Sequence, residues 1–363
     1  MYNGEDAREG GEKMDSRGEG RERSFFLTFM TVISCVAVVI LHANGVFWSF
    51  SYERVWLTAN MLESVFYFAV PVFFMISGST LLDYRDHYDT RTYAIKRVKK
   101  TVIPFLAWSL VALAFQLILK GYTFETVTVY TVVDTILNSR HWGVYWFFMP
   151  LFGAYLAIPV FSLIPKERRK SIFPYIIAVG YLFNELIPFV NRLLGNVIPV
   201  SGELGFPISR GYLLYLFVGY YIYHYQVPLW LRRLTYVLGA AGLAVHMVGT
   251  WYCSYQAGEI VTLFKGYMNL PCFFYSTALF LFFRNVNYQK WNRRVTAALN
   301  YLSTETFNVY LIHMFVITGV SVVFKVSWTS FVSRTVGAVA VFLVVTLICK
   351  QVKKLPLVRI VLP

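Results

Sequence analysis

Long apolar runs separated by short, basic polar segments organise the whole chain. A helix rises 1.5 Å per residue, so roughly 20 apolar residues cross a bilayer core. Ten runs approach that length, near 25–48, 63–82, 102–119, 143–164, 171–190, 211–225, 234–253, 264–283, 304–324 and 330–349. The sixth is short, and Pro188, Pro199 and Pro207 mark an irregular hairpin before it. The pattern predicts an all-α integral membrane protein, a bundle of about ten transmembrane helices spanning 25–350. Residues 1–24 are polar and glycine-rich without apolar periodicity and read as a disordered cytoplasmic tail; 351–363 form a C-terminal cytoplasmic tail. The first run is too long for a signal-peptide core and lacks a small-residue cleavage site, so it is an uncleaved span.

Composition agrees. The chain is 57% hydrophobic and only 14% charged, whereas soluble domains carry about 25% charged residues. A net charge of +14 could suggest a nucleic-acid partner, but the lysines and arginines cluster between apolar runs, where orientation in a membrane needs them. With the N-terminus in the cytoplasm, 25 of the 33 basic residues face inward, which predicts both termini inside the cell membrane. Cys35, Cys253, Cys272 and Cys349 are scattered, without CxxC or metal-ligand spacing, and read as small buried hydrophobes with no metal.

No GxSxG elbow, phosphate-binding GxxxxGK[ST] loop, HExxH or GxGxxG is present. Chemistry must therefore come from polar groups inside the bundle, where ionisable residues are costly and point to function. His42 falls about 25 Å along the first run, near its outer end, and His313 about 14 Å along an outward-running one. Burial disfavours the charged imidazolium and keeps the ring neutral, as a general base requires. An interhelical hydrogen bond would explain either histidine equally simply. The same structural reading covers Glu63, Glu185 and His246 at outer helix ends. The basic stretch "RTYAIKRVKK" (91–100) is either a topological signal or a site for a phosphate-bearing cytoplasmic ligand, with Arg97 and Lys100 one helical turn apart.

At these residues the sequence resembles the acyltransferase-3 family of integral membrane O-acyltransferases. "VAVVILHA" ends near the family's essential histidine, here His42. "VPVFFMISGSTLL" (70–82) resembles its FF-x-x-SG-x-x-L signature through Phe73, Phe74, Ser77 and Gly78. "KRVKKTVIPFLAWS", "VYWFFMPLFGAYLAIPV", "LYLFVGYYIYH" and "STETFNVYLIH" follow in family order. Three positions depart from the pattern. The second arginine of R-x-x-R is Lys100, Thr28 and Thr31 stand where many relatives carry Asp and Arg, and Asn308 replaces a glycine.

The resemblance implies transfer of an acyl group, usually acetyl, from cytoplasmic acyl-coenzyme A to a hydroxyl of a surface glycan or lipid-linked sugar. His42 and His313 are then the candidate catalytic residues, and Arg97, Lys100, Lys96 and Ser77 the donor-binding ones. Acetyl-CoA is a co-substrate, and no bound cofactor is implied. From the residues alone, a saccharide transporter or flippase, a membrane acyltransferase of another class and a non-catalytic sensor stay open; no internal repeat between 25–165 and 171–350 supports a transporter.

Overall fold

The computed structural model describes residues 25–120, 127–139, 142–201 and 203–363, so the tail expected at 1–24 lies outside the described residues. The helices in chain order are α1 (Phe25–Ala43), α2 (Arg54–Phe66), α3 (Ala69–Leu81), α4 (Thr90–Arg97) and α5 (Ile103–Lys120). Then come α6 (Val129–Asn138), α7 (Phe148–Phe161), α8 (Lys166–Gly180), α9 (Ile187–Leu193), α10 (Leu213–His224) and α11 (Leu229–Ala244). Last are α12 (Thr250–Ala257), α13 (Leu270–Arg284), α14 (Arg293–Ser303), α15 (Thr306–Phe324) and α16 (Ala338–Val352). No strand occurs among the described residues.

Each of the ten apolar runs contains helix, and eight helical stretches are long and apolar enough to cross a membrane. Three of these join two helices through a π-helical turn, at Val98–Val102, Tyr181–Leu186 and Val245–Gly249, and the last opens with one, Ser333–Gly337. The two shorter helices are α10, with 12 residues, and α13, with 15. The run expected at 264–283 begins six residues early, because 264–269 is not helical and α13 starts at Leu270, with Pro271 in its first turn. Large apolar side chains remain exposed on the outside of the bundle, Leu156 at 79% and Ile118 at 81% among them, as lipid contact requires.

Two glycines weld the bundle centre. A Cβ on Gly78 of α3 would stand 2.0 Å from the Leu216 carbonyl oxygen of α10, and one on Gly219 of α10 would stand 2.1 Å from the Met75 carbonyl oxygen of α3. Only glycine lets the backbones meet this closely. Ser79 Oγ adds a hydrogen bond to the Gly219 carbonyl at 2.9 Å. At the end of the bundle bearing the basic segment, Asp83 accepts from Arg169 Nη1 at 2.5 Å and from the Tyr220 hydroxyl at 3.2 Å, tying α3 to α8 and α10.

Residues 351–363 do not trail away from the bundle. After α16 the chain makes a short 3-10 turn, Pro356–Ile360, and Leu362 is buried in the main apolar core. Trp108 Nε1 donates to the Val361 carbonyl at 3.0 Å, and Asn308 Nδ2 to the Pro363 carbonyl at 3.0 Å. Asn308 also donates to the buried Glu305 at 2.7 Å. The asparagine at the family's glycine position thus clamps this segment between α5 and α15.

Candidate active site

His42 is the penultimate residue of α1, and His313 sits in the middle of α15. Counting rise along each run separates them by about 11 Å in depth, yet His42 Nδ1 lies 2.6 Å from His313 Nε2. The reason is that α15 starts level with the middle of α1: Cys35 Sγ lies 3.4 Å from the carbonyl of Thr306, the first residue of α15.

The hydrogen-bond order assigns the protons. His313 Nδ1 lies 2.9 Å from the Val309 carbonyl, which can only accept, so Nδ1 carries the hydrogen. In a neutral ring, Nε2 of His313 is then the acceptor, and His42 Nδ1 must donate to it. His42 Nε2 is left with its lone pair. His313 is completely buried and His42 only partly, so the free nitrogen belongs to the ring that reaches open space. A base held in one tautomer by a second group behind it is the arrangement that hydroxyl activation needs.

His42 lines two spaces. The larger, about 780 Å³, is walled by Trp48, Tyr67, Trp142, Trp146, Tyr267 and Tyr310, with Glu63 and Lys265 as its charged groups. The smaller, about 360 Å³, opens between the end of α1, α15 and the segment at Trp328 and Thr329. Met314 and Thr318 of α15 also line both, so the imidazole stands where the two meet.

Tyrosine hydroxyls hold the walls. Tyr145 donates to the Leu311 carbonyl at 2.8 Å, and Tyr310 donates to the Val144 carbonyl, fixing the short helical turn Gly143–Phe147 against α15 beside His313. Behind His42, Asn44 Nδ2 donates to the Ala59 carbonyl at 2.8 Å and to Glu63 at 3.3 Å, while its Oδ1 accepts from Arg334 Nη1 at 2.9 Å. Arg334 also donates to Thr58 Oγ1 at 2.7 Å. This clip joins the ends of α1, α2 and the helix leading into α16.

A family model described as an acyltransferase domain matches residues 25–350. The chain belongs to the acyltransferase-3 family. It is a multi-pass membrane protein and carries an acyltransferase domain. Comparison with curated proteins and with solved structures returns no match.

In this acyltransferase-3 chain the two histidines come together, but the expected donor-binding residues stand apart from them. Ser77, Lys96, Arg97 and Lys100 do not line the larger cavity. Ser77 Oγ donates to the Phe73 carbonyl of its own helix at 2.9 Å, and the glycine beside it serves the α3–α10 contact. Lys96 Nζ lies 3.6 Å from the Tyr88 ring centre. The Arg97 guanidinium lies over Tyr93 and Tyr155, at 5.7 and 5.4 Å, while Lys100 is exposed. Arg97 directly precedes the π-helical turn Val98–Val102, and Lys100 lies within that turn.

Two buried groups, Lys265 and Arg334, are not among the candidates that the sequence singles out. Their signal was present all the same: each is a lone cation in or beside an apolar run, the pattern that marked the histidines. Glu63 lies in the interior of a stretch of helix running Arg54–Asp86 and pairs with Lys265, which a hydrogen-bond reading of Glu63 alone does not reach. Glu185 and His246 are buried away from the larger cavity; His246 lies edge-on to Tyr67 at 5.1 Å.

Proposed function

We propose that this protein is an O-acyltransferase of the cell membrane, with both termini cytoplasmic, that moves an acetyl group from acetyl-CoA to a hydroxyl of an extracytoplasmic glycan or lipid-linked sugar. The observation that carries the proposal is the ordered chain from Val309 through His313 to His42, which leaves His42 Nε2 as a lone-pair base on a roomy, aromatic-walled cavity.

The acceptor hydroxyl hydrogen-bonds to His42 Nε2, and its oxygen attacks the thioester carbonyl as the proton passes to the ring. The His42 imidazolium keeps its Nδ1–H on His313 Nε2, which shares the new charge. When the tetrahedral intermediate collapses, the C–S bond breaks and His42 returns the proton to the departing thiolate. One acyl–sulfur bond is exchanged for one acyl–oxygen bond, and the hydroxyl proton ends on the thiol. Arg97, Lys100 and Lys96 supply cations for the donor's phosphates at the other end of the bundle, and the pantetheine arm crosses the interval to His42.

The test is acetyl transfer from radiolabelled acetyl-CoA by purified protein to glycan from the producing cell. Wild type should transfer label, Arg97→Ala should need more donor, and His42→Ala should transfer almost none. Label transfer by His42→Ala at the wild-type rate would remove the proposal.

A further inference from the structure

Glu63 and Lys265 share the larger cavity with His42, and the mechanism above leaves them unused. Their charged atoms are 3.0 Å apart, with side chains 6% and 2% exposed. A buried ion pair of this kind contributes little net stability, since an apolar pair of the same volume often does as well. Its placement on a cavity wall suggests a ligand.

Both partners are fixed before any ligand arrives. Glu63 is held from behind by Asn44, itself gripped by Arg334 and the Ala59 carbonyl. The Lys265 ammonium is caged over aromatic faces, 3.8 Å from the Tyr67 ring centre and 4.7 Å from that of Trp48. A lysine has three donors, and among the described residues Glu63 is its one ion-pair partner. Donors therefore remain for an oxygen brought into the cavity. Beside the pair, Tyr67 stacks on Tyr267 at 4.1 Å and Tyr267 on Trp146 at 5.5 Å, forming a continuous aromatic wall.

We infer that Glu63 and Lys265 read two neighbouring hydroxyls of an uncharged sugar ring, which the Tyr67–Tyr267–Trp146 wall covers on its apolar face, while a further hydroxyl is presented to His42. This rests on the acyl-transfer reading and deepens it by naming the acceptor subsite and the class of sugar it takes. A hydroxyl both donates and accepts, so one of an adjacent pair accepts from Lys265 while the other donates to Glu63. A carboxylate gains nothing comparable. Lys265 is already neutralised, and the Glu63 carboxylate would face the newcomer at close range in a low-dielectric wall. The pair thus selects neutral sugars and rejects uronic and other acidic ones.

The test measures binding without any acyl donor, by ligand-observed NMR titration of methyl glucoside, methyl mannoside and methyl glucuronide against the detergent-purified protein. Wild type should bind at least one neutral glycoside at least tenfold more tightly than the glucuronide. The double variant Glu63→Leu/Lys265→Met, which removes both charges together, should weaken neutral binding at least tenfold while keeping the wild-type unfolding midpoint. Glucuronide binding as tight as the neutral glycosides, or undiminished neutral binding by the folded double variant, would overturn the inference. Because no acetyl-CoA is present, loss of transfer with intact glycoside selectivity would instead count against the acyl-transfer reading alone.

Discussion

His42 Nδ1 and His313 Nε2 are 2.6 Å apart although 271 residues separate them in the chain. In the proposed mechanism this pairing makes two isolated histidines a base and its orienting partner. Removing the base should cost about 10²–10⁴-fold in transfer rate. His313→Ala keeps the base but loses its tautomer control and should retain more activity than His42→Ala, with kcat reduced more than donor KM changes. Steady-state kinetics on the two variants check the order; equal losses would mean that the two rings act as one unit rather than as base and support.

Arg97 lies over two tyrosine rings, and a planar guanidinium suits that position better than an ammonium. If it also takes a donor phosphate, Arg97→Ala removes a charge-assisted contact of about 1.5–3 kcal/mol. Acetyl-CoA KM should rise about 10- to 100-fold, as that energy dictates, and Arg97→Lys should recover only part. A direct binding titration with coenzyme A reads this without turnover.

The α3–α10 weld makes a stability prediction. Gly78→Ala or Gly219→Ala drives a methyl into a backbone carbonyl and should lower stability by ~1–3 kcal/mol or more. At Gly153, in α7, an added Cβ meets nothing within 4 Å. Gly153→Ala should be neutral or stabilising by up to about 1 kcal/mol. Unfolding midpoints in one detergent compare the three.

Glu63→Leu alone strands the Lys265 cation in the protein interior and should destabilise by ~3–5 kcal/mol. Adding Lys265→Met should restore most of that loss. A thermal melt of the two single variants and the double variant gives the coupling, and simple additivity would mean that the charges do not interact.

Trp108→Phe deletes the hydrogen bond to Val361 and should cost about 1 kcal/mol. Limited proteolysis of the C-terminal segment should quicken in that variant and in Asn308→Gly, since both loosen the same clamp.

The apolar runs made the helical class legible, because hydrocarbon leaves the backbone few other choices. His42 and His313 each stood out as an expensive polar group. What linear reading missed was the offset between spans: it treated every span as starting at one common plane, whereas α15 begins beside Cys35, in the middle of α1. Linear reading also ran helix through 264–269, where the chain instead turns to bring Lys265 and Tyr267 to the cavity. Side chains from α1, α2 and the segment before α13 meet only through tertiary packing, and no local spacing encodes that meeting. The fold-back of 356–363 was hidden for a related reason, since its few apolar residues are too short a run to declare where they dock.

His313 touches no solvent, and its far nitrogen ends on a carbonyl of its own helix. The imidazole pair is therefore a blind alley: a hydrogen ion picked up at its open end leaves by the same door. Acyl groups would cross the protein without any accompanying electrical current, and turnover should be indifferent to the voltage across the membrane.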